Sequence, residues 1–436
     1  MYFYSTRHKS PHADLRTAVM QGLPTDNGLY MPSEIGRLPQ SFFEQLPQMS
    51  FAEMSFAVAQ CLLQDSISAN DLRPIVEEAI NFEAPVVAIH DNMACLELFH
   101  GPSLAFKDFG ARFMARMMGH FIKQSKQKLY ILVATSGDTG GAVAQGFLNT
   151  PGIEVIILYP SGKISDIQEM QLTALGGNIR ALEIKGNFDD CQRLVKTAFL
   201  DTQLRQHLQL SSANSINLAR LIPQSFYYVS AYAQMAKNGK KVVFCVPSGN
   251  FGNLCAGLLA QKIGLPVHKF VAANNANDVF TAYHQSGIFA PRPSVKTLSN
   301  AMDVGDPSNL QRIQELYNND IEAIRHDIAA YSFDDAQTMD AIRRVYTNHH
   351  YLMCPHTAVA YLGLERYFAN TPDAHELQGI FLGTAHPVKF YDIVEPALNI
   401  KIPIPANLQA LSQKEKVSYL LNNEFGEFKN YLMNLK

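Results

Sequence analysis

The 436-residue chain has no tryptophan, six cysteines, little net charge and no long apolar run. Each shortage excludes something. Without indole, emission from any bound group can be followed free of tryptophan overlap. The cysteines, Cys61, Cys95, Cys191, Cys245, Cys255 and Cys354, show no paired spacing, and most lie in apolar runs such as ACLEL and VVFCVP. That pattern fits reduced core thiols in a cytoplasmic protein, with no zinc-type Cys/His spacing and no expected metal. No apolar stretch approaches the roughly 20 residues of a membrane span. The opening MYFYSTRHKS lacks the apolar region of a signal peptide. A net charge of -3 leaves no basic footprint, so neither nucleic acid nor membrane is an expected partner. No repeat or low-complexity tract is evident.

What is present is 47% apolar residues, ample for a sizeable core. Residues 1–90 read as a mostly helical domain, with apolar residues at helical spacing in Ala13–Leu23, Met49–Leu63 and Leu72–Ile80. Asn81–Val87 marks a boundary. Beyond it, short continuous apolar runs alternate with helical segments: Leu129–Ala134, Val155–Tyr159, Ile179–Ile184, Val242–Val246, Phe270–Ala273 and Ile380–Leu382. Such strands belong to parallel sheets covered on both faces. The expectation is an α/β catalytic domain over 91–400 with two open, mostly parallel-sheet lobes, the smaller within about 125–240. Residues 401–436 read as a polar, helical, peripheral tail. A monomer or weak homodimer is expected.

Ligands of such sheets bind beyond the carboxyl ends of the strands, and two Gly-rich motifs fall there. PSGNFGN, Pro247–Asn253, follows KVVFCV. Gly249 and Gly252 let such a loop aim several N–H groups at one anion, aided by the next helix N-terminus. No lysine ends the loop, so a small phosphate monoester suits it better than a Walker-type nucleotide. A structural turn is the equal alternative. ATSGDTGGA, Ala134–Ala142, adds the hydroxyls of Thr135, Ser136 and Thr139, suited to a substrate carboxylate. Its Asp138 could equally cap the next helix. In ELFHGPSLAFKD, Glu97–Asp108, Lys107 sits among small and aromatic residues after a Gly–Pro turn. A Schiff-base lysine needs such partial desolvation. Together these are parts for holding pyridoxal phosphate and an amino acid. GTAHP, Gly383–Pro387, could bring the Thr384 hydroxyl to the ring nitrogen.

These motifs, with YPSGKIS, SANSINLAR and LGTAHP, stand in the order seen in threonine synthases, and QGLPTDNGLYMP resembles that family's opening. The resemblance covers nearly the whole chain, weakens after about residue 400, and fits the bacterial and fungal branch. It implies pyridoxal-phosphate fold type II and conversion of O-phospho-L-homoserine and water to L-threonine and phosphate. It makes Lys107 the cofactor lysine and assigns the cofactor phosphate to Gly249, Asn250, Phe251 and Asn253, with Gly252 in the same loop. Thr384 would face the ring nitrogen, and Asp138 would lie near the phenolic oxygen, where many relatives of the wider fold have asparagine. Ser215, Asn217 and Arg220 resemble the family's substrate-phosphate site, with Lys163 a further cation. Competing readings are a phospho-lyase releasing a 2-oxo acid from a similar substrate, and a non-catalytic amino-acid sensor.

Overall fold

The computed structural model describes residues 1–123, 125, 127–135, 137–235 and 239–435. Two short strands, β1 (Phe3–Ser5) and β2 (Tyr30–Pro32), pair antiparallel at the N-terminus. That region also holds the helices Leu15–Gln21, Phe51–Leu63 and Ala69–Ala79, which fall on the three segments with helical spacing, while long turns and extended stretches connect them. Ser50 starts the second with a capping box to Glu53.

A six-stranded sheet forms the larger lobe. Its strands are β3 (Val86–His90), β4 (Met93–Glu97), β9 (Lys241–Pro247), β10 (Val267–Asn274), β11 (Ile328–Ser332) and β12 (Leu377–Gly383), in the order β11-β10-β9-β12-β4-β3. Only the β3–β4 pair is antiparallel. The smaller lobe holds β5 (Leu129–Ala134), β6 (Ile153–Pro160), β7 (Ile179–Lys185), β8 (Gln209–Ser212) and β13 (Tyr419–Asn422), all parallel, ordered β13-β7-β6-β5-β8. The expected α/β architecture with two mostly parallel lobes is present. Every residue of β12 and all but Lys241 of β9 are buried, so helices cover both faces.

The tail differs from its expected peripheral helical form. β13 extends the smaller sheet beyond β7, and Phe428 and Leu432 of the helix Phe425–Met433 are buried in that lobe's core. A four-residue edge strand with mostly exposed side chains has no alternating signature to betray it.

The helix Lys107–Ile122 links the lobes. Phe109, Phe113, Met114, Met117 and Met118 are buried on it. It crosses the helix Asp138–Phe147 at Gly146, where a Cβ would stand 2.9 Å from the Ala111 carbonyl carbon. The N-terminal region reaches this core too. Phe3, Leu15 and Leu62 share one apolar cluster with Phe113, Val133 and Phe244. All six cysteines are free, and all but Cys61 are buried. Among the described residues, no helix is long and apolar enough to cross a membrane, and no His, Cys, Asp and Glu side chains gather as a metal site.

Candidate active site

Lys107 is the first residue of its helix, reached by a loop from the end of β4. The loop is laced to the strand end that carries Thr384. Leu98 N donates to Gly383 O at 2.9 Å, Phe106 N to Thr384 O at 2.9 Å, and His386 N to Leu104 O at 3.0 Å. Asp108 braces it from below by accepting Ser103 N at 2.8 Å. A Cβ on Gly101 would come within 2.4 Å of the Asp108 carboxylate, so this turn requires glycine. Burial lowers the Lys107 ammonium to about 8, opposed by Asp138 and aided by Arg220 and Lys389. At neutral pH on the order of a tenth of such amines are neutral, against well under about one in a thousand for an ordinary lysine. The amine therefore meets the first requirement of a Schiff-base lysine.

PSGNFGN forms the turn from β9 into the helix Gly252–Lys262. Phe251 takes a left-handed conformation at φ 60°, and its ring is buried against Phe280, so only its backbone faces the turn. Gly249 is needed for contact, since its Cβ would lie 2.8 Å from Met302 Cα. Gly252 is different. A Cβ there meets nothing closer than Asn309 Nδ2 at 3.6 Å, Gln224 Nε2 at 3.8 Å and Ser215 O at 3.9 Å. The glycine keeps a small polar space open. Asn309 is fully buried, its Oδ1 accepts from Arg312 Nη1 at 2.7 Å, and its Nδ2 has no partner among the described residues. A buried, unsatisfied donor beside a helix N-terminus suits an anion such as the phosphate of pyridoxal phosphate. Asn309 was not visible as a site residue in the sequence. Two expected phosphate donors are braces instead. Asn253 gives its amide to Pro247 O at 2.9 Å, and Asn250 bonds Ser215 Oγ at 2.9 Å while accepting Ser308 N at 2.6 Å.

In ATSGDTGGA, Ser136 lies outside the described residues. The Thr135 hydroxyl shapes its own turn rather than waiting for a ligand. It accepts Gly137 N at 3.1 Å and Gly140 N at 2.9 Å and donates to Gly137 O. Such local bonds compete with ligand binding. Thr135→Val should therefore cost about 2–3 kcal/mol of stability, two buried donors losing their acceptor, which denaturant unfolding measures. Thr139 has a half-buried side chain with no hydrogen bond among the described residues, so its hydroxyl is available. Asp138 is not the helix cap, a position taken by Gly137. Its Oδ1 meets Lys389 Nζ at 2.9 Å and Gln168 Nε2 at 3.2 Å. Burial alone would raise this carboxyl, but Lys389 and Lys107 hold it well below the usual range.

SANSINLAR runs beside the cup through the Asn250–Ser215 bond. Asn217, expected among the substrate donors, caps the helix Leu218–Leu221 and donates to Val19 O at 2.8 Å, pinning the N-terminal region. Arg220 is buried at 2% exposure against the first turns of the Lys107 helix. A Cβ on Gly110 would lie 2.9 Å from its Nε. Its Nη1 donates to Ala213 O at 2.7 Å, its Nε has no partner, and no carboxylate pairs with it among the described residues. Burial draws this guanidinium down to about 10, partly offset by Asp108, so it stays charged near neutrality. Lys163 lies in the exposed turn after β6. Thr384 is buried, and its hydroxyl has no hydrogen bond among the described residues. His356 and His386 accept backbone N–H groups, from Ala301 and Val388 respectively, and burial lowers both to about 4, so both are neutral structural rings.

A half-buried lysine at a helix start, an anion cup and a free hydroxyl on the adjoining strand end are the parts of a pyridoxal-phosphate-dependent enzyme. Residues 92–376 match the family model described as pyridoxal-phosphate dependent enzyme, residues 2–80 that of the threonine synthase N terminus, and residues 357–432 that of the threonine synthase C-terminal region. The chain is 42% identical to the threonine synthase of Haemophilus influenzae over 99% of its own length and 100% of that protein. It superposes on the crystal structure of threonine synthase from Escherichia coli with a TM-score of 0.89 at 40% identity, covering both chains fully. On pyridoxal-phosphate-bound threonine synthase from Brucella melitensis the TM-score is 0.94 at 34% identity over 99% of both chains. The chain belongs to the threonine synthase family.

Proposed function

We propose that this enzyme converts O-phospho-L-homoserine and water to L-threonine and phosphate, and does so in the cytoplasm. The observation that carries the substrate choice is Arg220. A buried guanidinium without a carboxylate is costly unless an anion arrives to meet it. It sits beside the Lys107 helix, next to a cup that already suits a different phosphate. A substrate bearing its own phosphate uses both sites.

Pyridoxal phosphate, when bound, supplies the electron sink for carbanion chemistry. The protein supplies the rest. Lys107 Nζ holds the cofactor and, once released, carries protons at the substrate's α- and β-carbons. Gly252, the backbone of Phe251 and Asn309 Nδ2 would receive the cofactor phosphate. Thr384 would offer its hydroxyl to the ring nitrogen, which does not enforce a protonated ring. Thr139 and its neighbouring N–H groups would receive the substrate carboxylate. Arg220 and Ser215 would hold the substrate phosphate and stabilise it as it departs, with Lys163 as a more distant cation.

Arg220→Ala should keep the cofactor colour but lose about ten- to a hundredfold in turnover of O-phospho-L-homoserine, the worth of one charge-assisted bond. Vinylglycine, which has the carbon skeleton without phosphate, is the control. Equal weakening of both ligands would show that Arg220 does not read phosphate.

A further inference from the structure

Lys389 lies in the turn Pro387–Phe390 just after GTAHP and is buried at 1% exposure. Its ammonium has three protons and three acceptors. Nζ is 2.8 Å from Ser103 O, 2.9 Å from Gln171 Oε1 and 2.9 Å from Asp138 Oδ1. With all three N–H groups donated, the nitrogen has no lone pair to offer, so it is neither a base nor an alternative nucleophile. The acceptors come from both lobes. Ser103 stands in the loop before Lys107, whereas Asp138 and Gln171 begin and line helices of the smaller lobe. Gln168, on the same helix as Gln171, adds its amide to Asp138 Oδ1.

The groups acting on Lys107 are Asp138, Arg220, Lys389 and the neutral His356, with Asp108 on its own helix facing Arg220 and Lys389. Among the described residues, Asp138 is the anion that favours a proton on Lys107. A carboxylate buried this deeply would neutralise itself or pair with Lys107 if no other cation met it. Lys389 meets it at bonding distance.

We propose that Lys389 is a positioning residue that balances the charge of Asp138 across the lobe boundary, and thereby sets the proton affinity of the nitrogen that Lys107 presents to the cofactor. This rests on the cofactor role of Lys107. Removing Lys389 leaves Asp138 as an unbalanced anion that still acts on that nitrogen. Removing the Asp138 charge while Lys389 stays has the opposite sign.

The test is a pH titration of the absorbance band of the bound cofactor in the holoenzyme. Lys389→Met should move the midpoint upward by about one pH unit or more, and Asp138→Asn downward by a comparable amount. The double variant, a neutral pair of similar volume, should return to within about 0.3 units of the parent. It also keeps the test decisive if Lys389→Met alone folds poorly, because Asp138→Asn and the double variant still report the pairing. A midpoint unmoved in Lys389→Met, or shifts in the singles that the double does not cancel, would overturn the proposal. A parent protein with no cofactor band at all would instead overturn the role of Lys107.

Discussion

Lys107→Ala is expected to purify as a folded, colourless protein, with turnover reduced by at least about three orders of magnitude. Folding should survive because the ammonium makes no hydrogen bond to any described residue, and its contact with the Phe106 ring is a distant one at 6.0 Å. Truncation therefore leaves no buried partner unsatisfied and removes a charge that burial already disfavours. No other lysine can take over. Among the described residues, Lys389 is the buried lysine nearby, and three acceptors occupy its protons. Borohydride reduction followed by peptide mapping should label Lys107 alone in the parent and nothing in the variant. Label on Lys389 or any other lysine would refute the assignment.

Gly252→Val should lose cofactor affinity by at least about a hundredfold while the cofactor-free protein keeps its stability. Two glycines of this one motif behave differently. At Gly252 the nearest atom to a new Cβ is 3.6 Å away, ordinary contact, so the fold leaves room for a Cβ there. What the valine occupies is the space bounded by Asn309 Nδ2, Gln224 Nε2 and Ser215 O. At Gly249 a Cβ would press on Met302 Cα at 2.8 Å, so even alanine should lower the melting temperature before any question of binding arises. Equilibrium dialysis with pyridoxal phosphate, beside thermal denaturation of the cofactor-free protein, distinguishes the two. Unchanged affinity in Gly252→Val would place the cup elsewhere.

The strands that were legible are those whose runs are apolar on both faces. β5, β6, β9 and β12 contain the expected segments and extend them by a residue or more at several ends. β3, partly buried with Ala88 exposed, and β13, at an exposed edge, have no such run. The motifs fall on the strand-to-helix turns that build the candidate site, because their glycines and hydroxyls mark such turns. They did not reveal what each polar side chain does there. Thr135 and Asn217 look like ligand donors in sequence, yet their own backbone neighbours occupy them. Asp138 looks like a cap, but its partner is a lysine 251 positions further on, in the other lobe. Asn309 is legible only after folding, because an unsatisfied amide is a property of packing and not of spacing.

Incubation of the holoenzyme with O-phospho-L-homoserine, with phosphate, L-threonine and 2-oxo acid followed together, tests the reaction itself. Phosphate and threonine should appear in equal amounts, with 2-oxo acid at a trace. Phosphate released with a matching quantity of 2-oxo acid and no threonine would contradict the account and make the enzyme a phospho-lyase.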